Sequence, residues 1–183
     1  MSWLPRVAGP PLLALLTLLG ACAVAPRANT GAAGEPLSGR LSVHVAGLAG
    51  AAARSVTAAF ELQGNAQSGS LNLATPLGTV LAQARWAPGQ VVLATPQGER
   101  NFADLDALTR EALGESVPVA ALFDWLRGRP WPGAPSAPRM PATEPGFQQL
   151  GWAINLARFD EASVTAQREQ APAVTVRAQL DRP

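Results

Sequence analysis

The 183-residue chain has one cysteine, one histidine, no tyrosine and no lysine. A lone cysteine excludes an intramolecular disulfide and any cysteine-based metal cluster. The single histidine, His44, sits on a predicted strand with no HxxxH or HExxH spacing, so no metal site is expected. Its ordinary reading is a surface or packing residue. No G-x-S-x-G nucleophile elbow occurs. The neighbouring acids Asp104 and Asp106 read as a helix cap, and Asp160 and Glu161 as a solvated turn. No catalytic constellation can be assembled from these residues, so the chain is expected to be no enzyme, with no cofactor. All 14 basic residues are arginines against 13 acids, without a basic stripe or block of like charge. That balance excludes a polyanion such as nucleic acid as the expected partner.

Arg6 is the only charge before the apolar run "GPPLLALLTLLGACA". A positive start, a short apolar core and small residues at its end form a secretory signal segment, too short for a permanent bilayer span. Leu19-Gly20-Ala21-Cys22 resembles a bacterial lipobox, which makes Cys22 the expected site of acylation and the first mature residue. Ala23 follows, and by resemblance to Gram-negative lipoproteins the lack of an aspartate there implies export to the outer membrane. The Ala/Pro/Gly-rich stretch up to Leu37 lacks periodicity and reads as a flexible tether. The expected organisation is therefore signal peptide 1–21, acylated cysteine and tether 22–37, and one domain 38–183.

Within that domain, Leu41-Val43-Val45 and Val56-Ala58-Phe60-Leu62 alternate with more polar positions. Leu71-Leu73 and Val80-Ala82-Ala84-Trp86 continue the pattern. Period two with one apolar face predicts half-buried antiparallel strands. Short turns at Thr75–Gly78, Ala87–Gln90 and Pro96–Glu99 make the sheet a meander. "DLDALTREALGE" then predicts a helix capped by Asp104 and ended by Gly114. "PVAALFDWLRG" predicts a second, from Pro118 to Gly128, with Val119, Leu122, Phe123 and Leu126 as its stripe. Residues 129–146 contain six prolines and predict a long irregular loop. Strands resume with Trp152, Ile154 and Leu156 and close with "AVTVRAQL". A strongly curved sheet around helices satisfies every apolar face, and so does an α+β core packed solid.

Three stretches carry more than local structure. The first is the turn Pro76-Leu77-Gly78, where an apolar residue occupies a hairpin tip. The second is "VPVAALFDWLRGRPWPG", with Pro118, Leu122, Trp125, Leu126 and Gly128. The third is "GFQQLGWAINLARFD", with Gln149, Gly151, Trp152 and Ile154. Together with the lipobox, and in this order, they resemble the LolB family of outer-membrane lipoprotein insertion receptors. The N-terminal strands depart from it in being alanine-rich, and Leu156-Ala157 replaces a tyrosine common in the family.

The resemblance implies a mainly β fold, an incomplete (half-open) antiparallel β-barrel capped by short α-helices around an apolar cavity. It implies a lipid-anchored protein on the periplasmic face of the outer membrane. Such a protein accepts triacylated lipoproteins from a periplasmic carrier of the same fold and releases their acyl chains into outer-membrane lipid. A monomer is expected. The resemblance makes Pro76, Leu77 and Gly78 the membrane-insertion tip. Phe60, Trp86, Leu122, Phe123, Trp125, Leu126, Trp152 and Ile154 become candidates for the acyl cavity and its lid. The alternative is an envelope lipoprotein that binds lipid or scaffolds without transferring anything.

Overall fold

The computed structural model describes residues 34–181, apart from 49 and 142. The signal segment, Cys22 and the stretch 23–33 lie outside the described residues. Six strands come first: β1 (Gly34–Val45), β2 (Arg54–Gly64), β3 (Gly69–Ala74), β4 (Val80–Ala87), β5 (Gln90–Thr95) and β6 (Gly98–Phe102). Two helices follow, α1 (Leu105–Leu113) and α2 (Val119–Trp125). Five strands complete the chain: β7 (Ser136–Pro138), β8 (Gly146–Gln149), β9 (Trp152–Asn155), β10 (Ser163–Arg168) and β11 (Val174–Leu180).

All eleven strands belong to one sheet, in the order β6-β5-β4-β3-β2-β1-β11-β10-β9-β8-β7. Every neighbouring pair is antiparallel. The edges β6 and β7 do not meet, so the barrel is open. Each edge is unattractive to further strands: β6 carries Glu99 and Arg100, and β7 lies among the prolines of 129–146. That segment is therefore not wholly irregular. Its three-residue strand occupies an edge, the one sheet position that tolerates proline. Strand β1 likewise starts at Gly34, inside the stretch assigned from composition to the tether, and Leu37 packs against the core.

The alternation predicted for the strands sets one face inward. On β2, Ala58, Phe60 and Leu62 are buried while their neighbours are more exposed, and on β11 the same holds for Val174, Val176 and Ala178. The helices cross this face. The Asp104 carboxylate accepts the Ala107 N–H at 2.6 Å to start α1. Gly114, at φ +86°, ends it, its N–H donating to the Arg110 carbonyl at 2.8 Å.

Strand register sorts the loops into two ends. The β1–β2, β3–β4, β5–β6, β8–β9 and β10–β11 loops lie at one end. The β2–β3 and β4–β5 turns lie at the other, together with Gly34, which pairs with Gly64 where the chain enters the sheet.

Candidate functional site: an apolar cavity beside an exposed hairpin tip

Between the sheet and the helices lies a cavity of about 330 Å³. Five consecutive strands each give it a pair of residues two apart. They are Leu41 and Val43 of β1, Val56 and Ala58 of β2, Leu71 and Leu73 of β3, Ala82 and Ala84 of β4, and Leu93 and Thr95 of β5. The spacing is that of one face of a pleated sheet. The helical segment closes the other side with Leu108, Thr109, Ala112, Leu113, Val117, Val119 and Leu122.

The lining carries no titratable group, and its two threonines are engaged elsewhere. The Thr109 hydroxyl donates to the Asp106 carbonyl and accepts the Val117 N–H at 3.1 Å. The Thr95 hydroxyl donates to the Gly98 carbonyl and accepts the Gln97 N–H, both at 3.3 Å. What the wall presents is hydrocarbon. Such a surface can hold an alkyl chain by keeping it from water, at about 0.8 kcal/mol per methylene. The volume lies at the low end of the roughly 300–1,000 Å³ range of small-ligand cavities, so it suits one chain better than three.

The void exists because side-chain size is graded along the barrel. Near the β2–β3 end, Trp86 and Phe123 pack edge to face with centroids 5.8 Å apart. Gly69 makes room for the indole, since a Cβ there would lie 2.6 Å from the Trp86 ring. The Trp86 Nε1–H donates to the Asn65 carbonyl at 3.0 Å, which fixes the ring. Toward the opposite end, alanine, valine and leucine replace aromatics on β2 to β4, and the space stays open.

Of the eight residues expected to form the cavity or lid, Leu122 lines this cavity. Phe60, Trp86, Phe123, Trp125, Leu126, Trp152 and Ile154 are buried in the core around it. Several of them form a joint that holds α2 against β8 and β9. Gln149 is at its centre and fully used. Its Oε1 accepts the Trp125 indole N–H at 2.7 Å and the Trp131 backbone N–H at 2.9 Å. Its Nε2 donates to the carbonyls of Trp131 and Ala134, each at 2.7 Å. Trp125 and Trp152 lie 6.0 Å apart, and Gly128 leaves room for Phe159, whose ring a Cβ there would meet at 2.8 Å. The second and third sequence motifs are thus two halves of one joint. Sequence reasoning missed the small sheet residues that line the cavity, although the alternation on β1 to β5 marked that face.

A second tie fixes the connection between the helices. Arg168 of β10 donates to the Glu115 carboxylate at 2.7 Å and to the Pro172 carbonyl at 3.3 Å, and its guanidinium lies 5.7 Å from the Trp152 ring centroid. An exposed ion pair stands at the β9–β10 connection, Arg158 with Glu161 at 2.6 Å. There the hydrogen bond and charge of Arg158 hold the Glu161 carboxyl below its usual range.

The β3–β4 hairpin carries the lining pair Leu73 and Ala82 outward to its tip, Thr75-Pro76-Leu77-Gly78. The turn is tightly closed. Gly78 N–H donates to the Thr75 carbonyl at 2.9 Å, Thr75 N–H to the Thr79 carbonyl at 2.8 Å, and Thr79 N–H to the Thr75 hydroxyl at 3.1 Å. Proline restricts the entry, and Gly78 supplies the positive φ of +85° at the exit. Leu77 is 96% exposed, and Val80 and Leu81 beside it are 56% and 39% exposed. The tip is closed by hydrogen bonds at its base and presents Leu77 unpacked.

A family model described as outer membrane lipoprotein LolB matches residues 36–180. The outer-membrane lipoprotein LolB of Bordetella pertussis is 36% identical over 155 residues, covering 81% of this chain and 77% of that protein. That of Bordetella petrii is 35% identical over 163 residues, covering 85% and 81%. That of Cupriavidus pinatubonensis is 34% identical over 159 residues, covering 82% and 75%. From the N-terminal strand to the last, with cavity, joint and hairpin tip in sequence, the chain belongs to the LolB family of outer-membrane lipoproteins.

Proposed function

We propose that the protein receives acylated lipoproteins from a periplasmic carrier and inserts their acyl chains into the outer membrane. In this reading Cys22 is acylated and holds the domain on the periplasmic face. One observation carries the proposal: the β3–β4 hairpin that ends in the exposed Leu77 also gives Leu71, Leu73, Ala82 and Ala84 to the wall of the hydrocarbon-lined cavity.

Exposing three acyl chains to water costs tens of kcal/mol, roughly 0.8 per methylene, so they must move from one apolar site to the next. Direction then requires each acceptor to hold them better than its donor, with the bilayer holding them best. No covalent step is involved, and the transfer needs no catalytic group. The alanines at 58, 82, 84 and 112 among the leucines of the wall offer less contact than large side chains would, which favours release. Leu77 keeps one edge of the domain at the bilayer, where a fully inserted leucine gains roughly 1.5–3 kcal/mol. That is too weak to anchor a protein and sufficient to orient one that is already tethered.

The experiment follows radiolabelled lipoprotein from carrier to this protein and on to membranes. Leu77→Glu is expected to fold and to accept the lipoprotein normally, yet to deliver it at least ten-fold more slowly. Delivery at the wild-type rate refutes the membrane contact. Acceptance without delivery by the wild type points instead to storage or scaffolding.

A further inference from the structure

The cavity stops short of the β2–β3 end of the barrel. On β2 its wall ends at Ala58, beyond which Phe60 and Leu62 fill the same inward face. On β4 it ends at Ala84, and the next inward residue is Trp86. On β3 it ends at Leu71. The next inward position there is Gly69, which pairs with Trp86 and leaves its place to the indole. On α2 the wall ends at Leu122, and Phe123 follows. Trp86 and Phe123 are both buried, and they are the two rings that meet edge to face.

Behind these rings the surroundings reverse. Trp86 walls a surface cleft with Gln67, Gln90 and Asp104, and Phe123 walls another with Asn65, Arg127 and Arg129. One layer of rings therefore divides hydrocarbon-lined space from polar surface. The bond from the Trp86 Nε1–H to the Asn65 carbonyl keeps the indole from swinging aside. Away from the rings the lining runs on to Val43 and Val56, which pair across β1 and β2. Leu71 and Ala84 are level with Leu62, six positions along β2 from Val56. The apolar wall thus extends about 20 Å along the strands, at 3.3 Å for each position.

We propose that the Trp86–Phe123 pair is the floor of the acyl site and sets the length of chain that the site accepts. The chain lies along the strands with its terminal methyl against the indole, because its polar end finds no partner in the wall and stays at the surface. Each methylene that enters strengthens binding about four-fold until the methyl reaches the rings. Any further methylene remains in water and adds nothing. The proposal rests on the reading of the cavity as an acyl site given above.

The test uses the full-length chain carrying Cys22→Ala, so that no attached acyl chain or bilayer competes for the cavity. Saturated fatty acids of increasing length displace a fluorescent fatty acid, and affinity is followed against chain length. Affinity is expected to rise about four-fold per methylene and then level off at a break point. A core relaxes only partly around a lost ring, so Trp86→Ala should move the break point longer by roughly two methylenes or more. Trp86→Leu, smaller than tryptophan but still apolar, takes its place should Trp86→Ala not fold by circular dichroism. Ala84→Leu raises the floor by one inward position, and its break point should be shorter. An unchanged break point in a folded Trp86 variant overturns the proposal, whatever Ala84→Leu does. The acyl-site reading then still stands, because chains are captured. Affinity that rises with length and never levels off overturns it too. A chain that binds neither the fluorescent probe nor any fatty acid overturns the acyl-site reading itself.

Discussion

At the scale of single residues, Gln149 shows why a motif can be indispensable without touching a ligand. It is 2% exposed, yet all four of its hydrogen-bonding positions are occupied. Gln149→Leu keeps the volume and strands two donors and two acceptors at the joint. At about 1–3 kcal/mol for each polar group left buried and unpaired, the loss is on the order of 3–6 kcal/mol. Gln149→Glu retains the two accepted bonds and turns the two donated ones into repulsion against carbonyls. Both variants are expected to melt more than 8 °C below wild type, checked by circular dichroism. In Gln149→Leu alone, the tryptophan fluorescence should change as the Trp125 indole N–H loses its partner. Wild-type melting in Gln149→Leu means that the joint is held by packing alone.

At the scale of elements, the sheet and the helices divide the work between wall and lid. The wall can be tested by filling it. Ala82 faces the cavity from β4 beside Leu73 of β3. Ala82→Phe puts a ring into space that is already apolar, so stability is expected to hold within about 1 kcal/mol of wild type. Capture of a fluorescent fatty acid should fall at least five-fold. Capture unchanged by this substitution places the binding surface elsewhere. The elements themselves were legible in the sequence. Period-two alternation marked the strands, Asp104 and Gly114 marked the ends of α1, and the prolines of 129–146 marked a break in the sheet. The open barrel was legible only through resemblance, because alternation says which face is apolar and not whether that face closes on a void. Emptiness leaves no mark on a sequence: Ala58, Ala82 and Ala84 would read the same in a solid core. Aromatic bulk drew the expectation toward Trp86, Trp125 and Trp152, whereas the lining comes from smaller residues of β1 to β5 and of the helical segment. The role of Gln149 was hidden as well, since its partners at 125, 131 and 134 reach it only through the tertiary fold.

At the scale of the whole molecule, what matters is that β1 enters the sheet at Gly34, at the end opposite Leu77. Gly34 is level with Gly64 and Gly69, and the eight positions from Gly69 to Leu77 put the tip at most about 26 Å away along the strands, at 3.3 Å each. Cys22 lies twelve positions before Gly34, which allows a reach of at most about 40 Å. With Cys22 acylated as proposed, the leash is long enough for tip and anchor to share one bilayer with the strands upright, whereas half of it, about 20 Å, is not. A shorter leash then becomes an obstacle, because it pulls the wrong end of the barrel toward the lipid. Deleting residues 24–29 should cut delivery to membranes below that of a freely diffusing Cys22→Ala protein, with acceptance from the carrier equal in both. Equal delivery by the two forms means that the domain works lying on its side. The length of an unremarkable N-terminal stretch thereby sets the posture of the barrel on the membrane, and being held too closely is worse than not being held.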